Sequence, residues 1–208
     1  MANALGLDAR ALMALFRLDR KLNLSAAYLE PGLGFGGSCL PKDLLALCEL
    51  GRSLDLALPI RDAVLASNRR RLEQVLERIA RHPVKRLGLL GLTFKAGTDD
   101  VRESSMVELI ERLIGRGYEV RIYDPLVDPA ALLGANLAFA LDRLPHIARL
   151  VMPALEPVID HAELLLIGHL DEAAAATILA RAGTRRLLDC ARTDFGLGAL
   201  PGYEGICW

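Results

Sequence analysis

The chain has 208 residues, a formal net charge of −1 and a hydrophobic fraction of 52%. That length and composition can bury a substantial core, whereas the near-neutral charge argues against a nucleic-acid partner, and no window approaches the roughly 20 uninterrupted apolar residues of a membrane-spanning helix. Four widely separated cysteines show no metal-ligand spacing, and the first residues lack the pattern of a secretory signal. Both observations favour free thiols in a reducing cytoplasm.

The first part of the chain is predicted to be helical. Apolar spacing indicates a helix over residues 8–20, and a second helix is expected to begin at Pro41 and end at Gly51. A third, longer helix is predicted over residues 59–81, closed by the proline that follows it. So much apolar helix surface in a region without its own sheet favours self-association, and we expect a homodimer formed through the long helix.

A glycine-rich loop between the first two helices ends at Cys39. Three glycines within residues 34–37 allow the backbone to approach a ligand closely. The thiol would face unsatisfied N–H groups and the positive end of a helix dipole, with Lys42 nearby, and each of these favours the thiolate. The arrangement predicts a reactive nucleophile; the alternative is a buried structural cysteine beside a glycine turn.

Strands alternate with helices from about residue 84. The predicted strands cover residues 86–91, 119–123, 162–167 and 186–189, and the helices between them cover residues 104–116 and 171–181. The fold class is therefore α/β, with a helical dimerisation region followed by a doubly wound, Rossmann-like parallel sheet domain. In such sheets ligands lie beyond the C-terminal ends of the strands.

The loop after the first predicted strand carries basic residues toward a helix N-terminus. Lys95 and Arg102 are placed where they could meet phosphate groups, although an ordinary charged surface loop is the alternative. The loop lacks the Gly-x-Gly-x-x-Gly fingerprint, so a dinucleotide site in this sheet is a weak interpretation. Asp124, at the end of the next strand, lies where a ribose-binding acid would be expected in such a site.

Two long motifs resemble those of the nucleotide-sugar 6-dehydrogenases. Residues 28–43, YLEPGLGFGGSCLPKD, resemble the active-site motif of that family, and residues 94–104, FKAGTDDVRES, resemble its second hallmark. The segments KLNLS at 21–25 and EGICW at 204–208 point to the branch that oxidises GDP-mannose. Glu30 stands where that branch tends to carry arginine, and Ala27 and Leu33 replace aromatic residues, so UDP-glucose remains an alternative substrate.

The resemblance implies two domains in this chain. Residues 1–82 correspond to the central helical dimerisation region that carries the cysteine loop, and residues 83–208 to the C-terminal nucleotide-sugar-binding domain. Members of the family also have an N-terminal nicotinamide-binding domain, which this chain is expected to lack. We therefore expect that the chain alone does not complete a catalytic cycle. A second hypothesis is that the isolated chain is a non-catalytic module that dimerises and binds a nucleotide sugar.

The resemblance also implies roles for individual residues. In the family, carbon 6 of the sugar is oxidised from alcohol to acid with two NAD as hydride acceptors, and the product supplies a polysaccharide. Cys39 matches the nucleophile that forms a thiohemiacetal and then a thioester, and Asp43 matches an acid that positions or activates water. Lys42 and Arg102 match cofactor contacts. The substrate-contacting positions are Tyr28, Glu30, Leu33, Gly36 and Lys95. An unrelated thiol enzyme is disfavoured, because no histidine base is evident near Cys39.

Overall fold

The computed structural model describes residues 7–19, 32–191, 193 and 195–206. Its first helices are α1 (Ala9–Phe16), α2 (Leu40–Ser53) and α3 (Pro59–Ala80). The strands are β1 (Arg86–Leu90), β2 (Glu119–Tyr123), β3 (Leu164–Ile167), β4 (Arg186–Asp189) and β5 (Tyr203–Gly205). The remaining helices are α4 (Ser105–Gly115), α5 (Gly134–Arg143), α6 (Ile147–Leu150), α7 (Glu156–His161) and α8 (Glu172–Arg181), with a short 3-10 helix at Leu197–Ala199. Across these described residues, no helix combines the length and hydropathy needed to cross a bilayer.

The strands form one parallel sheet in the order β2-β1-β3-β4-β5. The chain leaves β1 toward β2 on one side and returns to β3 on the other, so β1 and β3 flank the point where the strand order reverses. In open α/β sheets the crevice for a ligand lies at this switch point, outside the C-terminal ends of the strands. The doubly wound α/β prediction is confirmed.

Alternate residues of β3 belong to two different parts of the core. Leu164 and Leu166 lie in a cluster with residues of α3 and α4, whereas Leu165 and Ile167 lie in a second cluster with residues of α7 and α8. Successive side chains of a strand point to opposite faces of the sheet, so both faces are covered by helices. Burial on both faces accounts for the continuous apolar run of the strand.

Several predicted boundaries differ from the structure. β2 and β4 have the predicted bounds, and α3 ends one residue early, at Ala80. α2 continues through Gly51 to Ser53, because the glycine lies against the guanidinium of Arg61 and is tolerated there as a small contact residue. β3 begins at Leu164, two residues after the predicted start, and the first of these two residues, Ala162, is the C-cap of α7. Helices α5 to α7 and strand β5 were not predicted.

Candidate active site

The glycine loop (residues 32–38) packs directly against the β1–α4 loop (residues 91–104). The Gly37 N–H donates to the carbonyl of Glu103 over 3.2 Å. A Cβ at Gly36 would overlap that same carbonyl, and a Cβ at Gly37 would lie 2.9 Å from the ring of Phe94. Gly37 also has a φ of 85°, a conformation that glycine adopts without strain. The contact between the two motif loops therefore requires glycine at both positions.

An asparagine side chain clamps each of these loops. Asn68, on α3, accepts from the N–H of Phe35 and donates to its carbonyl, each over 3.0 Å. Asn136, on α5, accepts from the N–H of Val101 over 3.0 Å and donates to the carbonyl of Asp99 over 2.8 Å. Neither asparagine was predicted as a site residue, because asparagine is only mildly unfavourable in a helix and the partners of both are supplied by the tertiary fold.

A cleft of about 230 Å³ lies beneath the glycine loop, at the C-terminal edge of the sheet. Leu33 and Gly36 line it from the glycine loop, Lys95 from the β1–α4 loop, and His169 and Cys190 from the residues that follow β3 and β4. Leu33 is buried in the core, so it forms part of the floor, whereas Lys95 is exposed. The structure thus brings Leu33, Gly36 and Lys95, three of the predicted substrate positions, into one cleft.

The first turn of α2 presents Cys39, Lys42 and Asp43 together. Cys39 is exposed, and the Lys42 ammonium lies 3.6 Å from the Asp43 carboxylate. The cysteine sulfur makes no capping hydrogen bond to the helix, contrary to the expectation that it would face the first N–H groups. Cys39 itself has helical torsions (φ −102°, ψ −59°), and a side chain caps a helix from an extended conformation instead. The sulfur lies 3.8 Å from the hydroxyl of Ser38.

Arg102 lies within electrostatic reach of Cys39 but is already engaged. Its Nε and Nη2 donate to the two carboxylate oxygens of Asp100 over 2.9 and 2.8 Å. This pairing raises the pKa of the Arg102 guanidinium, and a Cys39 thiolate raises it further. Arg102 in turn lowers the pKa of Asp100, so the pair stays ionised. Cys39, Lys42, Asp43 and Arg102 therefore form a second group beside the cleft. Tyr28 and Glu30 lie outside the described residues.

Asp124 connects the β1–α4 loop to the end of β2. Its side chain is fully buried, and Oδ2 accepts from the N–H groups of Leu92 and Thr93 over 2.8 and 3.2 Å. Burial would raise the pKa of this carboxyl, but hydrogen bonds from His169 and from backbone N–H groups outweigh it, so the pKa lies below the usual value. The acid is committed to the protein backbone, so this sheet does not fit a dinucleotide, whose ribose would need that carboxylate.

The UDP-glucose/GDP-mannose dehydrogenase family matches this chain in two segments, with its central domain at residues 1–70 and its UDP binding domain at residues 88–174. The GDP-mannose 6-dehydrogenase of Pseudomonas putida is 41% identical over 209 residues, which span all of this chain and 48% of that protein. A crystal structure of a ternary complex of GDP-mannose dehydrogenase from Pseudomonas aeruginosa aligns with a TM-score of 0.76 at 39% identity, over 100% of this chain and 47% of the other. The structure of a UDP-glucose dehydrogenase from Pyrobaculum islandicum aligns with a TM-score of 0.75 at 30% identity, over 100% of this chain and 45% of the other. The chain spans about half the length of the relatives it matches.

Proposed function

Because the chain belongs to the UDP-glucose/GDP-mannose dehydrogenase family, we propose that it supplies the thiol and the nucleotide-sugar site of an NAD-dependent 6-dehydrogenase. The observation that carries this proposal is the packing of the glycine loop on the β1–α4 loop, which sets the Cys39 turn beside the cleft lined by Lys95. The proposed reaction is the four-electron oxidation of carbon 6 of GDP-mannose to the acid, giving GDP-mannuronate for a polysaccharide.

The choice of GDP-mannose rests on sequence identity, with UDP-glucose as the alternative. The relatives that act on GDP-mannose reach 41% identity, and the UDP-glucose dehydrogenase from Pyrobaculum islandicum is 30% identical. The corresponding TM-scores of 0.76 and 0.75 are nearly equal, so the fold alone favours neither nucleotide. We place the boundary between the helical region and the nucleotide-sugar domain at residues 82 and 83, in the turn between α3 and β1.

In this proposal the nucleotide lies at the switch point of the sheet and the sugar extends toward Cys39. The Lys95 ammonium is suited to an anionic group of the nucleotide sugar, because it is exposed at the edge of the cleft on the loop that Asn136 clamps. The backbone of the glycine loop closes the other side of the cleft, which Gly34 and Gly36 line. Tyr28 and Glu30, which precede this loop in sequence, are proposed to complete the substrate contacts.

Cys39 is the proposed nucleophile. Its thiolate adds to the carbonyl carbon of the C6 aldehyde, and the carbonyl oxygen takes up a proton to give a thiohemiacetal. The Arg102 guanidinium lies within electrostatic reach of the sulfur. At the thioester stage, Asp43 lies one helical turn after Cys39 on the same face of α2, where its carboxylate can accept a proton from the attacking water.

NAD would supply the hydride acceptor for both oxidation stages. The sheet described above does not fit a dinucleotide, so the cofactor is proposed to reach this chain only at its edge, at Lys42 and Arg102. It follows that the chain alone binds a nucleotide sugar without turning it over, which is the proposed behaviour of a dimerisation and binding module.

Titration calorimetry of the purified chain tests the proposal. We expect GDP-mannose to bind more tightly than UDP-glucose, the Lys95→Met variant to bind GDP-mannose more weakly, and no NADH to form when NAD is added. Tighter binding of UDP-glucose would replace GDP-mannose with the alternative substrate. If no nucleotide sugar binds, or if the Lys95→Met variant binds as well as the unchanged chain, the assignment of the cleft is wrong.

A homodimer is proposed through the helical region. Exposed apolar side chains crowd α2 and the start of α3, among them Leu45, Leu47, Leu50 and Ile60. The apolar face of the second half of α3 is buried in the core of the chain, so the exposed apolar side chains of this helix lie in its first half. We expect a dimeric mass by light scattering at micromolar concentration, and a monomeric mass would contradict this.

The protein is proposed to reside in the reducing cytoplasm. The free thiols at Cys39, Cys48 and Cys190 support this placement.

A further inference from the structure

His169 is held close to the end of β1 by the backbone around it. The N–H groups of Gly168 and His169 both donate to the carbonyl of Leu90, over 2.8 and 3.3 Å. Gly91 has a φ of 81°, and a Cβ there would lie 2.5 Å from the carbonyl oxygen of His169. The glycine at the end of β1 therefore permits an approach that any larger residue would block, and this approach brings the imidazole to the β1–α4 loop.

The hydrogen bonds around His169 fix which ring nitrogen carries the proton. The Thr93 hydroxyl has a single proton, and it donates that proton to the carbonyl of Lys95 over 3.1 Å. His169 Nε2 lies 2.8 Å from the same hydroxyl oxygen and must therefore be the donor. Oδ2 of Asp124 lies 3.4 Å from the same nitrogen, and an ionised carboxylate can only accept. Both neighbours assign the proton to Nε2.

These bonds form a directed chain from the sheet to the lysine of the cleft. Nε2 of His169 donates to the Thr93 hydroxyl, which donates to the Lys95 carbonyl. The Thr98 hydroxyl donates to the same carbonyl over 2.9 Å, which closes the turn around Lys95. A lysine ammonium is carried on a flexible four-carbon side chain. The positions that it can reach therefore depend on where the backbone of the lysine is held.

We propose that His169 is a positioning residue that holds the backbone of Lys95 beside the cleft through the hydroxyl of Thr93. This inference rests on the proposed function, in which Lys95 contacts the nucleotide sugar. His169 follows β3, the strand next to β1 at the switch point, so it ties Lys95 to the end of the sheet as well as to its own loop. His169 acts as a hydrogen-bond donor at the position of Nε2, and a substitution can either preserve or remove this donor.

Two substitutions of similar polarity separate this role from simple packing. In His169→Gln the side-chain amide nitrogen reaches the position of Nε2 and keeps the donor, whereas in His169→Asn it reaches only the position of Nδ1. We expect His169→Asn to weaken GDP-mannose binding about three- to tenfold, the loss of one net hydrogen bond, and His169→Gln to change it less than about twofold. Equal weakening by the two variants would overturn the proposal.

A double-mutant cycle tests whether His169 acts through Lys95. In the Lys95→Met background we expect His169→Asn to have no further effect on the dissociation constant, because the group that it positions is gone. If the two losses add, His169 contacts the ligand or another element, and the proposal is wrong.

Hydrogen exchange supplies a test that needs no ligand. The amides of residues 93–98 should exchange faster in His169→Asn than in His169→Gln, while those of β1 and β3 stay equally protected in both variants. Unchanged exchange in residues 93–98 would overturn the positioning role whether or not a nucleotide sugar binds. Faster exchange in a chain that binds no nucleotide sugar would support the positioning role and refute only the proposed function.

Discussion

Asn68 of α3 holds Phe35 of the glycine loop by both of its backbone groups, accepting from the N–H and donating to the carbonyl over 3.0 Å each. An amide that pairs in this way replaces the hydrogen bonds that a neighbouring strand would otherwise supply. The loop has no regular structure of its own, so its shape depends on a residue 33 positions further along the chain. The helix proposed to pair with a second copy of the chain thereby also shapes the loop that leads to Cys39.

The Asn68 clamp predicts a graded loss of stability. Asn68→Ala removes two partly buried hydrogen bonds, and we expect it to lower the free energy of unfolding by about 2 kcal/mol. Asn68→Asp keeps the acceptor for the Phe35 N–H but loses the donor to the Phe35 carbonyl. Its free energy of unfolding should therefore lie between those of Asn68→Ala and the unchanged chain. Urea titration measures these differences, with Ser67→Ala, an exposed neighbour on α3, as the control. A control that costs as much as Asn68→Ala would contradict the clamp.

The contact between the motif loops predicts that Gly36 cannot be replaced even by alanine. A Cβ there would overlap the carbonyl of Glu103, so Gly36→Ala should displace one of the loops and cost about 1–3 kcal/mol. Gly115→Ala is the matched control, because a Cβ at Gly115 meets nothing within 4 Å, and alanine in α4 should be neutral or stabilise by up to about 1 kcal/mol. Thermal unfolding of both variants compares them, and a Gly36→Ala variant as stable as the control would show that the loops are not in contact.

Much of the candidate site could be proposed from the sequence, because its residues lie in two continuous motifs. Cys39, Lys42 and Asp43 share one helical turn, and Lys95 follows a clear strand, so local patterns indicated their surroundings. Asn68 and His169 act across 33 and 76 positions, and no local periodicity marks a residue whose partner is supplied by the tertiary fold.

The missed elements have a similar explanation. β5 has only three residues, and its place is fixed by the edge of β4 and by Arg78, which donates to the Gly205 carbonyl over 2.6 Å. α6 and α7 have four and six residues, too few to show a helical repeat. α5 begins after Leu133, which provides no side-chain cap, so the usual start signal is absent.

Asp124 predicts an acid-sensitive contribution to stability. Its pKa is lowered in the folded chain, so its contribution is fully present above the unfolded value of about 4 and is lost as the pH falls through the folded value. We expect Asp124→Asn to lower the free energy of unfolding by about 2 kcal/mol at pH 7 and by progressively less in acid. Denaturant titrations from pH 7 to pH 3 measure this gap, and a gap that widens in acid would contradict the ionised, hydrogen-bonded carboxylate.

The exposure of the thiols predicts the order in which they react. Cys39 is exposed, whereas Cys48 and Cys190 are buried and become accessible only when the structure opens. Iodoacetamide should label Cys39 at least about tenfold faster than either buried thiol, as measured by mass spectrometry of the digested chain. In denaturant, where burial is removed, the three rates should converge. Labelling of Cys48 or Cys190 ahead of Cys39 in the native chain would contradict the exposure of the site.

The Cys39 turn and the cleft beneath the glycine loop are proposed to form one site. The rate of iodoacetamide labelling of Cys39 with and without GDP-mannose tests this, with free mannose as the control. We predict that GDP-mannose slows this labelling in proportion to its occupancy of the cleft, and that free mannose leaves the rate unchanged. If GDP-mannose binds by calorimetry and Cys39 is labelled at the same rate, the thiol and the cleft are separate and the account is wrong.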